Sequence, residues 1–144
     1  MRTNLTVEDL GGFLDEPHVA VLATVRRDGT ALLSPVWHEW RDGGFNVWVG
    51  ADDVKVRHLR RDPRATIVVA ESDPPLRGIE VRNTVELVQN GALETAVAIA
   101  TRYIGAEKAS AYVGSASGGH LIVRLRPGDL RIWDFLDEHG DERF

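Results

Sequence analysis

Short apolar runs separated by turn residues dominate the chain, with helical spacing appearing in only a few places. From Thr6 to Glu16, the residues Leu10, Phe13 and Leu14 share one face at helical spacing. Thr6 suits an N-cap, Asp9 stands three residues on where a capping box usually has Glu, and Pro17 stops the helix. His18 to Val25 is short, apolar and valine-rich, which predicts a buried strand. Asp28-Gly29 predicts a hairpin, with the return strand over Thr30 to Trp40. Pro35 cannot donate to a ladder, so a bulge or a sheet edge is expected there. Asp42-Gly43-Gly44 turns the chain into a strand over Phe45 to Val49. Its alternation puts Phe45, Val47 and Val49 on one face, with Asn46 and Trp48 on the other.

The second half continues in the same style. Asp52 to Asp62 predicts a short helix, capped by Asp52 or Asp53 and ended by Asp62-Pro63. Ala65 to Ala70 is a buried strand, and Gly78 to Val88 a long alternating one. Leu93, Ala96, Val97, Ala100, Tyr103 and Ile104 make Ala92 to Ile104 an amphipathic helix ended by Gly105. A second helix is expected over Glu107 to Val113, then a loop over Ser115 to Gly119. Strands over His120 to Leu125 and Leu130 to Phe135 follow, and the polar tail after them is expected to fray. About seven strands joined mostly by tight turns predict antiparallel pairing. The expected fold is therefore mainly β: a curled antiparallel sheet with peripheral helices, one of them over an opening.

Length adds that the 144 residues make one domain, spanning 1–144, against a usual ~150 per domain. Composition is ordinary for a globular chain, with 43% apolar and 27% charged residues. The absence of Cys excludes disulfides, a thiol nucleophile and thiolate metal sites. The net charge of −5 argues against nucleic acid as the main partner, which would need a basic footprint. No stretch approaches a membrane span, and the N-terminus lacks the apolar run of a signal peptide, so a cytoplasmic protein is expected.

Three stretches could carry chemistry. Between Lys55 and Arg64, five basic residues (Lys55, Arg57, Arg60, Arg61 and Arg64) fall in ten positions. A helix N-terminus with a lysine one turn inside makes a phosphate cradle. The alternative is a solvated helix face with a basic last turn that suits the macrodipole. Asp52 and Asp53 sit where an anion would be repelled. In Leu33-Ser34-Pro35-Val36-Trp37-His38 a mid-strand proline frees backbone groups for a flat ligand, or else guards an edge against aggregation. The third is the set Trp37, Trp40, Trp48 and Trp133, which either walls a cavity or fills the core and a subunit interface. None of the five His residues has metal-ligand spacing to another, so no metal site is expected. His38 alone is a candidate for proton transfer.

Taken in order, residues 19–40 (VAVLATVRRDGTALLSPVWHEW) and 54–69 (VKVRHLRRDPRATIVV) resemble the pyridoxamine 5′-phosphate oxidase-like split-barrel superfamily. More narrowly, the chain looks like the actinobacterial flavin/deazaflavin oxidoreductases that bind FMN or coenzyme F420. The resemblance implies an antiparallel split β-barrel acting as a homodimer, with two cofactor sites at the interface and a small-molecule substrate. It places the cofactor ring along Ser34, Pro35, Val36 and Trp37. It places the phosphate near Val49, Gly50 and Ala51, with Lys55 as the phosphate-contacting lysine and Arg57 nearby. The other subunit would close the site with the loop holding Arg77 and with the strand of Trp133. Two departures stand out: Asp53 replaces a second basic residue common among F420 binders, and His58 replaces a common Asn. They leave the choice between FMN and coenzyme F420 open, along with a second reading as a non-catalytic cofactor or tetrapyrrole carrier or sensor.

Overall fold

A computed structural model describes residues 5–136. The N-terminal stretch is two short 3-10 turns, Val7–Leu10 and Phe13–Asp15, instead of one helix. Gly11, at φ +59°, separates them. The box survives, since Asp9 accepts from the Thr6 N–H at 2.7 Å. Leu10, Phe13 and Leu14 are buried as expected. The expected polar tail lies outside the described residues.

Two antiparallel sheets follow, packed face to face as a split barrel. The first contains β1 (Ala20–Val25), β2 (Ala31–Val36), β5 (Arg64–Ala70), β6 (Arg77–Thr84) and β9 (Asp129–Asp134), in the order β2-β1-β5-β6-β9. The second contains β3 (His38–Arg41), β4 (Gly44–Gly50), β7 (Glu86–Val88) and β8 (His120–Leu125), in the order β3-β4-β8-β7. The single strand expected over Thr30 to Trp40 is thus broken at Trp37, where the chain crosses from an edge of one sheet to an edge of the other. Pro35 pairs in register with Val21 without a bulge, and the edge position of β2 is what accommodates it. The strand expected over Gly78 to Val88 divides in the same way at Val85.

The alternation of β4 holds. Phe45, Val47 and Val49 are buried in the main core together with Leu22, Ile67, Val69, Ile79 and Val81. Trp40 joins that core, its ring edge-on to Phe45 with centroids 4.9 Å apart. Trp37 and Trp48 face the other way, toward α2 (Ala92–Ile104) and α3 (Ala106–Gly114). The C-terminal turn of α2 fastens the N-terminal segment: Arg102 donates to the carbonyls of Leu14, Glu16 and His38. α1 is the eight-residue helix Val54–Arg61. Among the described residues no helix is long and apolar enough to cross a membrane.

Candidate functional site

The crossing at Trp37 opens a cleft of about 500 Å³. Pro35, Val36 and Trp37 form one side, and Trp48, Val49 and Gly50 at the end of β4 form another. Asp53 and Lys55 of the α1 start, together with Val19 and Tyr112, complete it. Six of the sequence-predicted residues therefore converge: Pro35, Val36, Trp37, Val49, Gly50 and Lys55. Ser34 and Ala51 are adjacent but do not line it. Ser34 is buried opposite Leu22, and the Ala51 N–H donates to the Gly119 carbonyl at 3.1 Å. Arg57 is exposed on α1 and does not line the cleft.

Arg77 and Trp133 lie on β6 and β9, at the opposite side of the five-stranded sheet from β2. Each has partners within its own chain. Arg77 bonds both oxygens of Glu71, donates to the Leu10 carbonyl and lies over the Phe13 ring. Trp133 packs so tightly on Gly78 that a Cβ there would come within 2.2 Å of its ring.

An aromatic wall is the cleft's main apolar feature. Tyr112 of α3 is tilted against Trp37, with centroids 5.5 Å apart, and edge-on to Trp48 at 5.8 Å. Trp48 is held by its indole N–H, which donates to His120 Nδ1 at 3.1 Å. Trp37 lies on Tyr103 on its other side. Tyr112 and Val19 were not among the expected site residues. The signal for Tyr112 was an aromatic left on the solvent face of a predicted helix.

The basic run does not gather into a cradle. Lys55 alone reaches the cleft, its side chain only 15% exposed, and its Nζ sits 3.0 Å from Asp53 Oδ2. The other Asp53 oxygen accepts the Lys55 N–H at 2.9 Å and caps α1. Partial burial opposes ionisation of Asp53, but these hydrogen bonds and the neighbouring Lys55 and Arg57 outweigh it, holding the carboxyl below its ordinary range. Arg61 donates to the Val25 carbonyl, and Arg64 pairs with Asp62. Arg57 and Arg60 are exposed. His58, the second departure from the family pattern, points away from the cleft: its Nδ1 meets Thr24 Oγ1 at 2.9 Å and ties α1 to β1.

His38 is no proton-transfer group at this cleft. It is fully buried, its Nδ1 is 3.0 Å from the Tyr103 hydroxyl, and its Nε2 is buried without a partner. Burial, with help from the Arg102 charge, pushes the imidazole down to about 3. It is a neutral core residue near neutral pH.

A larger hollow of about 570 Å³ lies over the far end of the five-stranded sheet. Its cations are committed, Arg64 to Asp62 and Arg82 to Asp129. Glu16, His18 and Glu71 also cluster closely enough to suggest a metal site, but Arg77 already occupies Glu71 and approaches Glu16.

The described cleft thus offers flat aromatic and aliphatic walls, backbone from the crossing, a helix start and one lysine. That set suits a planar ring with a polar tail. The chain is similar in fold to the conserved hypothetical protein Rv2991 from Mycobacterium tuberculosis. It is 25% identical over 92% of this chain and 86% of that one, with a TM-score of 0.78. A structure described as an F420 reductase is 26% identical, covering 83% of this chain and 93% of that one, with a TM-score of 0.66. A heme binding protein from Mycobacterium smegmatis is 25% identical over 83% of this chain but only 50% of its own, with a TM-score of 0.62. A comparison with curated proteins finds no match. The family model for pyridoxamine 5′-phosphate oxidase matches residues 7–134. This chain accordingly belongs to the pyridoxamine 5′-phosphate oxidase family.

Proposed function

We propose that the protein is an oxidoreductase that binds a flavin-type cofactor, coenzyme F420 or FMN, in the cleft at Trp37 and reduces a small organic substrate there. The observation that carries this reading is the convergence of Pro35–Trp37, Val49–Gly50 and Lys55 on one cleft. Likeness to an F420 reductase supports it. The cofactor would supply the hydride chemistry, and the protein supplies binding, orientation and exclusion of water. Trp37, Pro35 and Val36 would hold the ring. Lys55 and the first N–H groups of α1 would meet the phosphate. Tyr112 and Trp48 would wall the side open to substrate.

We also propose that the working unit is a cytoplasmic homodimer. Leu33 is 65% exposed and Val19 is 54% exposed on the outer face of the five-stranded sheet beside the cleft, and an apolar face of this kind calls for cover. Arg77 and Trp133, expected from the resemblance to close the partner's site, are engaged within their own chain and gain no support from these contacts.

A second reading is non-catalytic binding of such a cofactor or of a tetrapyrrole. Likeness to a heme binding protein favours it. Fluorescence and absorbance titration with FMN, coenzyme F420 and haemin separates the two. FMN or F420 binding well below millimolar, with the reduced bound cofactor reoxidised by an added organic acceptor, supports the oxidoreductase; binding of any of the three without such turnover supports the carrier. A monomer by light scattering at micromolar concentration removes the dimer.

A further inference from the structure

One carboxylate stands where the proposed ligand's own anion would go. Asp53 uses one oxygen to accept the Lys55 N–H at the start of α1 and the other to bind Lys55 Nζ at 3.0 Å. Both groups line the cleft, and Lys55 is its only cation among the described lining residues. These two donors are the ones a phosphate would use at a helix start. The pair together is neutral. A phosphate entering the cleft must therefore displace Asp53 from Lys55 or accept a second anion beside it, and either course costs affinity.

We propose that Asp53 is a specificity-determining residue that serves as the cleft's internal anion, competes with a ligand's phosphate for Lys55 and so sets how tightly a phosphorylated tail is held. This rests on reading the cleft as a cofactor site. The ionised state of Asp53, maintained by its hydrogen bonds from Lys55 against partial burial, keeps the competing charge in place at neutral pH.

The test compares FMN with riboflavin, which share a ring and differ by the phosphate. Both are titrated against the wild-type protein, Asp53→Asn, Asp53→Ser and Asp52→Asn. Asn and Ser are good caps, so α1 is kept while the charge is removed. Asp52 is the exposed neighbour and controls for a general change in charge. The expected result is an FMN affinity at least about tenfold higher in Asp53→Asn and Asp53→Ser, with riboflavin changed less than about twofold. Equal changes for the two ligands, or the same gain in Asp52→Asn, would overturn the proposal. Inorganic pyrophosphate, followed through the Val54 and Lys55 amide shifts, keeps the two readings apart. If no flavin binds any variant but pyrophosphate binds Asp53→Asn more tightly than wild type, the role of Asp53 stands and the cofactor reading falls. Equal pyrophosphate affinity sinks the role of Asp53 itself.

Discussion

Trp37 lies flat on Tyr103, with ring centroids 4.9 Å apart and planes within 8° of parallel. The same Tyr103 hydroxyl accepts the His38 N–H at 3.1 Å and donates to the His18 carbonyl at 2.8 Å. One side chain of α2 thus supports the cleft wall and satisfies the backbone where the chain changes sheets. Tyr103→Phe keeps the stack and removes the hydroxyl. It should cost about 1–3 kcal/mol, because partly buried backbone groups lose their partner. Urea denaturation measures this, and an unchanged midpoint would take the hydroxyl out of the account.

Lys55→Ala should weaken whichever phosphorylated cofactor binds by about 1–3 kcal/mol, the scale of a charge-assisted contact. The loss also leaves Asp53 without its counter-charge in the cleft. Calorimetric or fluorescence titration reads the effect, and equal affinity in the variant would exclude Lys55 from the site.

Stability should fall as pH drops below neutral. His38 titrates at an ordinary 6.5 when unfolded but near 3 in the fold, because it is buried beside Arg102. Between those values the unfolded chain binds a proton that the native one refuses. The stabilisation is thus complete above about 6.5 and is lost progressively as pH falls toward about 3. One such group contributes at most about 1.4 kcal/mol per pH unit. His58, lowered by its own burial and by Arg61, acts in the same direction. Urea midpoints at neutral and mildly acidic pH should differ, and His38→Gln should flatten the difference. An equal slope in the variant assigns the effect elsewhere.

Gly78→Ala should destabilise by about 1–3 kcal/mol through overpacking. The new methyl would lie 2.2 Å from the Trp133 ring, so the indole must move out from between Gly78 and the Arg131 guanidinium. A change in tryptophan emission should accompany the loss. A stable variant with native emission would show that β6 and β9 separate without cost.

Local pattern was enough to find most elements and half of the cleft. The alternation Phe45, Val47, Val49 is a property of β4 alone, and burial follows it. Lys55 and Pro35–Trp37 were legible because charge and proline are local signals. The sheet change at Trp37 was not, since the residues on both sides are extended and only distant partners decide which sheet each joins. Tyr112 escaped notice for the same reason: α3 reaches the cleft through its packing on α2, which the sequence of either helix does not encode. His58 misled because a buried hydrogen bond to Thr24, thirty-four residues away, fixes its direction.

Residues 120–134 finish both sheets. β8 fills the middle of the four-stranded sheet between β4 and β7, and β9 closes the five-stranded sheet against β6. Gly50 finds its partner in His120, and Ala51 in Gly119. During synthesis, then, the hairpins β1–β2 and β5–β6 have their partners early. The end of β4 that carries Trp48 and Val49 lies beyond its pairing with β3 and waits for β8. The Trp48–Val49 wall of the cleft is thus set by β8, far along the chain from the proline-containing wall, and a change in β8 would reach the cleft without touching it.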